Sequence, residues 1–393
     1  MQQRVFLLDI VDPRTSEYER AARMAELEKL VQTFGGYVIL EAIQKKQVPD
    51  YSTYVGKWKL TTISQQMAEQ DADILIIGNI LKPRQLYRIN EKLREASKKA
   101  WHIMKARDRV DLILKIFDKH ANTTEAKLQI ELAAIKHMWP RIFGMGMELS
   151  KQWWWIGVKW IGETNTEIMK RHLQDSRLMI QKKIDEYSSM RTAHRQRRKK
   201  NQVKSVWIVW YTNAWKSSLM NSLTNKEVLA ENKLFATLWT TATKLFIQTD
   251  SVLGTGENVL LHDTIWFIRD LPPQLIQAFQ STLEDSIETD LLLHVVDISD
   301  PDHVQKIWIV DEILDTIWAT QKRVLVYNKI DALSKEDVDA VILARIAYEI
   351  AYKKEQNISD TEYVYQWILC VSAQKQLWLD TIVAYIKKYF SID

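Results

Sequence analysis

Glycine is scarce in this chain. It occurs 10 times in 393 residues, where ordinary usage of about 7% would supply roughly 28. Cysteine is nearly absent: Cys370 alone excludes an intramolecular disulfide framework and suits a reducing compartment. It lies in the apolar run Ile368-Leu-Cys-Val-Ser, read as a buried strand. Long apolar runs are missing too, since no window reaches the roughly 18 uninterrupted apolar residues of a membrane-crossing helix. The opening MQQRVFLLDIVDPRT lacks the basic start, long apolar core and small-residue cleavage site of a secretion signal. These absences predict a cytoplasmic protein with no transmembrane segment.

What is present is 46% apolar and 26% charged residues, enough to bury several cores in about two or three domains. The net charge of +4 is small, but basic residues bunch in Arg195-Gln-Arg-Arg-Lys-Lys200, which a polyanion could use and a solvated helix end would equally explain. Tryptophan occurs 16 times, which is high for a soluble protein. Glycine and tryptophan together total 26, close to a normal glycine count alone.

Hydrophobic periodicity divides the chain into three parts. Residues 1–107 read as a small α/β domain: an apolar strand over Val5–Val11, a helix from about Ser16 to Phe34, Tyr37-Val-Ile-Leu40 after Gly-Gly, and a buried strand in Asp73-Ile-Leu-Ile-Ile77. Residues 108–202 read as a helical hairpin. One helix is predicted from Arg109 to about Met138, with Leu112, Ile116, Leu128, Leu132 and Ile135 in phase, and a second from Thr164 to about Arg198, with Met169, Leu173, Ile180, Ile184, Tyr187 and Met190 on one stripe. The 144–162 segment between them lacks an apolar period and reads as a loop. From 203 to 393, β-rich runs at Val206–Val209, Val259–Leu261, Leu291–Val296, Val324–Tyr327 and Tyr363–Val371 alternate with helical stretches. That order predicts an α/β fold with a mainly parallel sheet flanked by helices.

Four short motifs in this last part carry chemistry. Trp210-Tyr211-Thr212-Asn213-Ala214-Trp215-Lys216-Ser217 matches the P-loop pattern G-x-x-x-x-G-K-[ST] except at both glycines. Asp263-Thr264-Ile265-Trp266 follows a strand, in the place of a D-x-x-G box. Asn328-Lys329-Ile330-Asp331 and Ser372-Ala373-Gln374 follow the later strands. In this order they point to a guanine-nucleotide domain. Backbone N–H groups at a helix N-terminus bind the β-phosphate, Lys216 reaches the β- and γ-phosphates, and the Ser217 hydroxyl ligates Mg2+. Asp331 can accept both hydrogens of the guanine N1 and N2 edge, which adenine does not offer.

On these residues the chain resembles the HflX family of ribosome-associated GTPases over nearly its whole length. YVGKWKL, LSKQWWWIGVKWIGETNTE, ENKLFATLWTT and DTIWFIRDLPPQLIQAFQSTLE are similar to that family's Y-I-G-x-G-K-L, its glycine loop, its switch segment and its third box. The resemblance implies a GTP hydrolase using GTP and Mg2+, with Phe235, Ala236, Thr237, Leu238 and Trp239 as the switch and Thr237 as second magnesium ligand. It implies a monomer that binds the large ribosomal subunit and its rRNA rather than DNA, with the Gln152–Gly162 loop entering the peptidyl-transferase region and the basic helix against rRNA. The chain departs from the family at Trp239 and Thr240, where Asp-Pro is usual. Phe267 follows the third box, where Ras-like enzymes carry a water-orienting glutamine, so hydrolysis should be slow until the ribosome stimulates it.

Against that pattern, Trp58, Trp153, Trp154, Trp155, Trp160, Trp210, Trp215, Trp266, Trp318 and Trp378 stand where glycine is expected. Trp101, Trp139, Trp207, Trp239, Trp308 and Trp367 are read as lying mostly near turns or tight sites. Two readings follow. In one, the gene uses UGA for glycine, as some bacterial lineages do, and the tryptophans arise from a code table that reads UGA otherwise. In the other, the chain is a degenerate, nucleotide-independent ribosome or RNA binder on a dead GTPase fold.

Overall fold

The computed structural model describes residues 2–100, 103–121, 123–144, 165–211, 216–224, 241–249, 255–263, 275, 287, 289–356 and 365–392. The chain forms two compact units, one within Met1–Tyr187 and one from Ser188 onward.

In the first unit β1 (Gln3–Val11), β2 (Gly36–Lys45), β3 (Ile74–Ile77) and β4 (Lys105–Asp108) form a parallel sheet in the order β2-β1-β3-β4. Val5 to Val11 are all buried, as an inner parallel strand with both faces covered requires. The helix α1 (Glu17–Phe34) starts at Ser16, whose side chain accepts from Glu19 N at 3.1 Å. It stops at Gly35, where φ of +98° is left-handed and the N–H returns to Val31 and Gln32 carbonyls. One core joins Phe6, Leu8, Leu75 and Ile77 to Leu60, Ile63 and Met67 of α2 (Lys57–Glu69) and to Leu86, Ile89 and Leu93 of α3 (Pro83–Ala100). Asp9, fully buried in β1, is neutralised by Arg23 at 2.8 Å.

The predicted helix over Arg109–Met138 is in fact two, α4 (Arg109–His120) and α5 (Thr124–Gly144). Ala121 is extended, and the Thr123 hydroxyl accepts from Ala126 N at 3.3 Å, which starts the second helix afresh. Both helices keep their apolar phase, so periodicity alone could not show the break. Leu128, Leu132 and Ile135 of α5 cluster with Leu173, Ile180 and Ile184 of α6 (Asn165–Lys200), so the two apolar stripes meet.

The second unit is a six-stranded sheet in the order β10-β9-β8-β5-β7-β6. Its strands are β5 (Ser205–Trp210), β6 (Thr241–Gln248), β7 (Gly256–Asp263), β8 (Leu291–Asp297), β9 (Lys322–Asn328) and β10 (Tyr365–Cys370). All pairings are parallel except β6 with β7. The edge strand β6 went unread in the sequence because Thr241-Ala-Thr-Lys-Leu-Phe-Ile-Gln carries only a short alternation. The helices described in this unit are α7 (Lys216–Thr224), α8 (His303–Thr316), α9 (Lys335–Gln356) and α10 (Leu379–Tyr389). No helix among the described residues is long and apolar enough to cross a membrane.

A polar network is buried between this sheet and its helices. His294 of β8 bonds Tyr365 of β10, whose hydroxyl donates to Asp311 of α8 at 2.7 Å. Arg323 of β9 donates to Asp311 at 3.1 Å and Asp315 at 2.7 Å, while Arg345 of α9 pairs with Glu349 and lies 5.0 Å from the Tyr365 ring. Burial raises the Asp311 carboxyl to about 6 and, with Arg345 and Arg323 nearby, holds His294 well below the usual histidine value.

These two shifts have opposite consequences for stability. A raised carboxyl favours the folded state below its unfolded value near 3.8 and loses that contribution as pH rises through about 6. A depressed histidine contributes above 6.5 and is lost on acidification. The two slopes oppose each other below about pH 6. In Asp311→Asn only the histidine loss remains, so unfolding free energy should fall more steeply with acidification than in the parent, by up to about 1.4 kcal/mol per pH unit. Urea titrations at a series of pH values check this, and equal slopes would contradict it.

Candidate functional site

The site lies at the carboxyl ends of the strands in the second unit, where an open parallel sheet binds ligands. Across the sheet these ends occur in the order Cys370, Asn328, Asp297, Trp210 and Asp263, from β10 to β7. The motifs separated in sequence are thus adjacent in space.

The best-defined half is the pair of loops after β9 and β10. Asn328, 1% exposed, aims its carboxamide oxygen at two N–H groups, Lys329 N at 2.9 Å and Ala373 N at 3.0 Å. Ile330 N reaches Val371 O at 3.4 Å. Ser372 and Leu377 exchange backbone bonds at 3.0 Å, and the Ser372 hydroxyl accepts from Lys375 N at 3.1 Å. The serine therefore closes the loop that carries Ala373 and Gln374. Lys329 is left-handed, with φ of +66°, and the 3-10 turn Ile330–Ala332 that follows leaves Asp331 exposed. A buried amide thus joins the two loops while a carboxylate stays open for a ligand edge.

Asp297 was not singled out in the sequence. Its carboxylate meets Lys329 Nζ at 2.5 Å and accepts from the Ser299 hydroxyl at 2.6 Å. The available signal was an acid closing the buried run Leu291–Val296. Ser222 was also missed; its hydroxyl donates to Ala373 O at 3.2 Å, joining α7 to the loop after β10.

The phosphate-loop half is described at its two ends. Trp210 ends β5, 1% exposed and opposite Val295, and Tyr211 follows, buried beneath Lys306, whose Nζ lies 5.4 Å from the ring centre. Lys216 and Ser217 form the first turn of α7. A strand that ends at Trp210 and a helix that begins at Lys216 therefore bracket the motif. Asp263 ends β7, opposite Ile208 and Thr241. Thr212, Asn213, Ala214, Trp215, Phe235, Ala236, Thr237, Leu238, Trp239, Thr264, Ile265, Trp266 and the 145–164 segment lie outside the described residues.

Among the described residues, the one group of potential metal ligands is Asp108, Asp111 and His137 in the first unit. Asp108 there already accepts from Asp111 N at 2.9 Å and Leu81 N at 3.3 Å, so it serves as the cap of α4.

Several tryptophans stand in informative places. Trp318 and Trp378 are left-handed, with φ of +60° and +62°, and are 78% and 65% exposed. Trp58, in the first turn of α2, is 90% exposed. Of the other six, expected mostly near turns or tight sites, Trp101 and Trp239 lie outside the described residues, and for the remaining four the expectation of turns needs correction. Trp139 lies in α5, Trp207 in β5, Trp308 in α8 and Trp367 in β10, and Trp207 is fully buried among Val209, Leu292 and Val310. Regular elements accept these four, so backbone geometry does not ask for glycine there.

Comparison with known proteins agrees with the geometry. Family profiles described as GTP-binding GTPase N-terminal, GTP-binding GTPase Middle Region and 50S ribosome-binding GTPase match residues 21–118, 120–198 and 205–329. The GTPase HflX of Caldanaerobacter subterraneus subsp. tengcongensis is 40% identical over 333 residues, 84% of this chain and 73% of that protein. The chain belongs to the HflX family of GTPases. The HflX of Escherichia coli is 35% identical over 79% of this chain and 70% of its own length. The crystal structure of SsGBP with GDP, 23% identical, covers 99% of this chain and 98% of that one with a TM-score of 0.54, which shows the shared fold. The expected α/β P-loop GTPase fold is therefore established.

Proposed function

We propose that this HflX-family chain binds and hydrolyses GTP, acts on the large ribosomal subunit, and carries glycine in its native form where the tryptophans of the phosphate loop stand. The observation that carries this is the joining of Asn328-Lys329-Ile330-Asp331 to Ser372-Ala373-Gln374 by one buried carboxamide. The residues present fit a guanine nucleotide. Asp331 is open to take the base edge, the loop that carries Ala373 and Gln374 is joined to its own loop through Asn328, and Lys216 and Ser217 open the helix that follows β5 in the chain. Ser217 and Thr237 would hold Mg2+, which supplies charge neutralisation at the phosphates when bound. Phe267 cannot orient water, so ribosomal contact is the reading for how the site is completed, and splitting or rescue of stalled ribosomes is the outcome that fits it. The division at 107/108 and 202/203 is part of the same proposal, with the 108–202 segment as the ribosome-facing part.

The left-handed backbone at Trp318 and Trp378 supports the glycine reading. A bulky side chain there is strained by about 1–3 kcal/mol per site, whereas glycine adopts it freely. At these two positions together that strain would be about 2–6 kcal/mol, a sizeable share of a domain's stability of about 5–15 kcal/mol. The degenerate-binder reading must further explain why Lys216, Ser217, Asp263, Asn328 and Asp331 all remain.

The chain expressed from its own gene with UGA decoded as glycine, hereafter the glycine form, should bind GTP at micromolar or tighter dissociation constants. Asp331→Asn in that form should lose GTP and gain xanthosine triphosphate, whose 2-oxo group needs a donor. The tryptophan form should bind neither. Absent GTP binding by the glycine form, or tight binding by the tryptophan form, would contradict the reading. Replacing Arg197, Arg198, Lys199 and Lys200 with alanine should weaken co-sedimentation with ribosomes and flatten its salt dependence while sparing GTP affinity; unchanged sedimentation would remove the helix from the interface.

A further inference from the structure

We infer that Asp297 is a positioning residue for nucleotide binding: it clamps the Lys329 side chain across the sheet edge so that the base meets a preset surface. The inference rests on the guanine-nucleotide reading and adds a residue to it. Asp297 ends β8 and lies opposite Asn328 in register. Its Oδ2 is 2.5 Å from Lys329 Nζ, with side chains 15% and 22% exposed. Its Oδ1 accepts from the Ser299 hydroxyl at 2.6 Å and Ser299 N at 3.1 Å, so the carboxylate is fixed from the far side. The backbone is tied at the same point, since Ile298 N donates to Asn328 O at 3.1 Å.

The two ties fix a direction. Lys329 starts at the end of β9, and its ammonium is drawn to the end of the neighbouring strand, about 4.8 Å across the sheet. The next strand beyond β8 is β5, which leads into the phosphate loop. The lysine stem is therefore laid from the base loops toward the end of β8, with its methylenes available as an apolar surface. Asp331 stands two residues on, exposed to a base edge. A lysine already ordered loses less freedom when the ligand arrives, and a partly shielded ion pair holds better than a surface one.

Two measurements test this. In the nucleotide-free chain, Asp297→Asn, which keeps the volume, should raise acylation of Lys329 by an amine-reactive reagent several-fold, read by peptide mass spectrometry. In the glycine form, Asp297→Asn and Lys329→Ala should each weaken binding of GDP about tenfold, and the double variant should bind no worse than Lys329→Ala alone. Asp297→Glu, which keeps the charge, should retain more GDP affinity than Asp297→Asn at matched thermal stability, separating positioning from folding. Unchanged acylation, unchanged GDP affinity in Asp297→Asn, or additive losses in the double variant would overturn the inference while leaving the nucleotide reading standing. No GDP binding by the parent glycine form would overturn both.

Discussion

Two loops 45 residues apart in sequence are held together by the side-chain oxygen of Asn328, which accepts from Lys329 N and Ala373 N. An unpaired N–H at that depth would cost about 1–3 kcal/mol, so the carboxamide fixes the spacing of the loops after β9 and β10. Every later feature of the base-recognition half depends on it. The left-handed turn at Lys329, the exposed Asp331 and the closed loop at Ser372 hold their places only while β9 and β10 stay in register. The central strands β8 and β9, buried along nearly their whole length, supply that rigidity, while β10 is the partly exposed edge of the sheet.

The same architecture explains how the two halves of the site differ. The base-recognition half rests on backbone bonds between neighbouring strands and on side chains that need no glycine. The phosphate half requires close approach of backbone to ligand, and in this chain tryptophan stands at both positions that would permit it. Among the described tryptophans, left-handed backbone that favours glycine occurs at Trp318 and Trp378, elsewhere in the unit. Trp207 makes the contrast: inside β5 it fills a core, and its backbone asks for nothing special.

Much of this was legible in the sequence, for physical reasons. Buried parallel strands read as continuous apolar runs, so Leu291–Val296 and Val324–Tyr327 were found nearly at their bounds. The motif order fixed which strand ends must converge. The break at Ala121 was hidden because α4 and α5 keep one apolar phase across it, and β6 was hidden because an edge strand needs little hydrophobicity. Asp297 escaped because its role exists only in register with Asn328, a relation that sequence order does not express.

The account turns on whether the phosphate loop is made with glycine. Peptide mass spectrometry of the protein from its native cells, directed at the tryptic fragment Ser205–Lys216, decides it. The account predicts glycine at 210 and 215, which opens the cradle before Lys216. Tryptophan at both positions would block it and leave a nucleotide-independent binder on a GTPase fold.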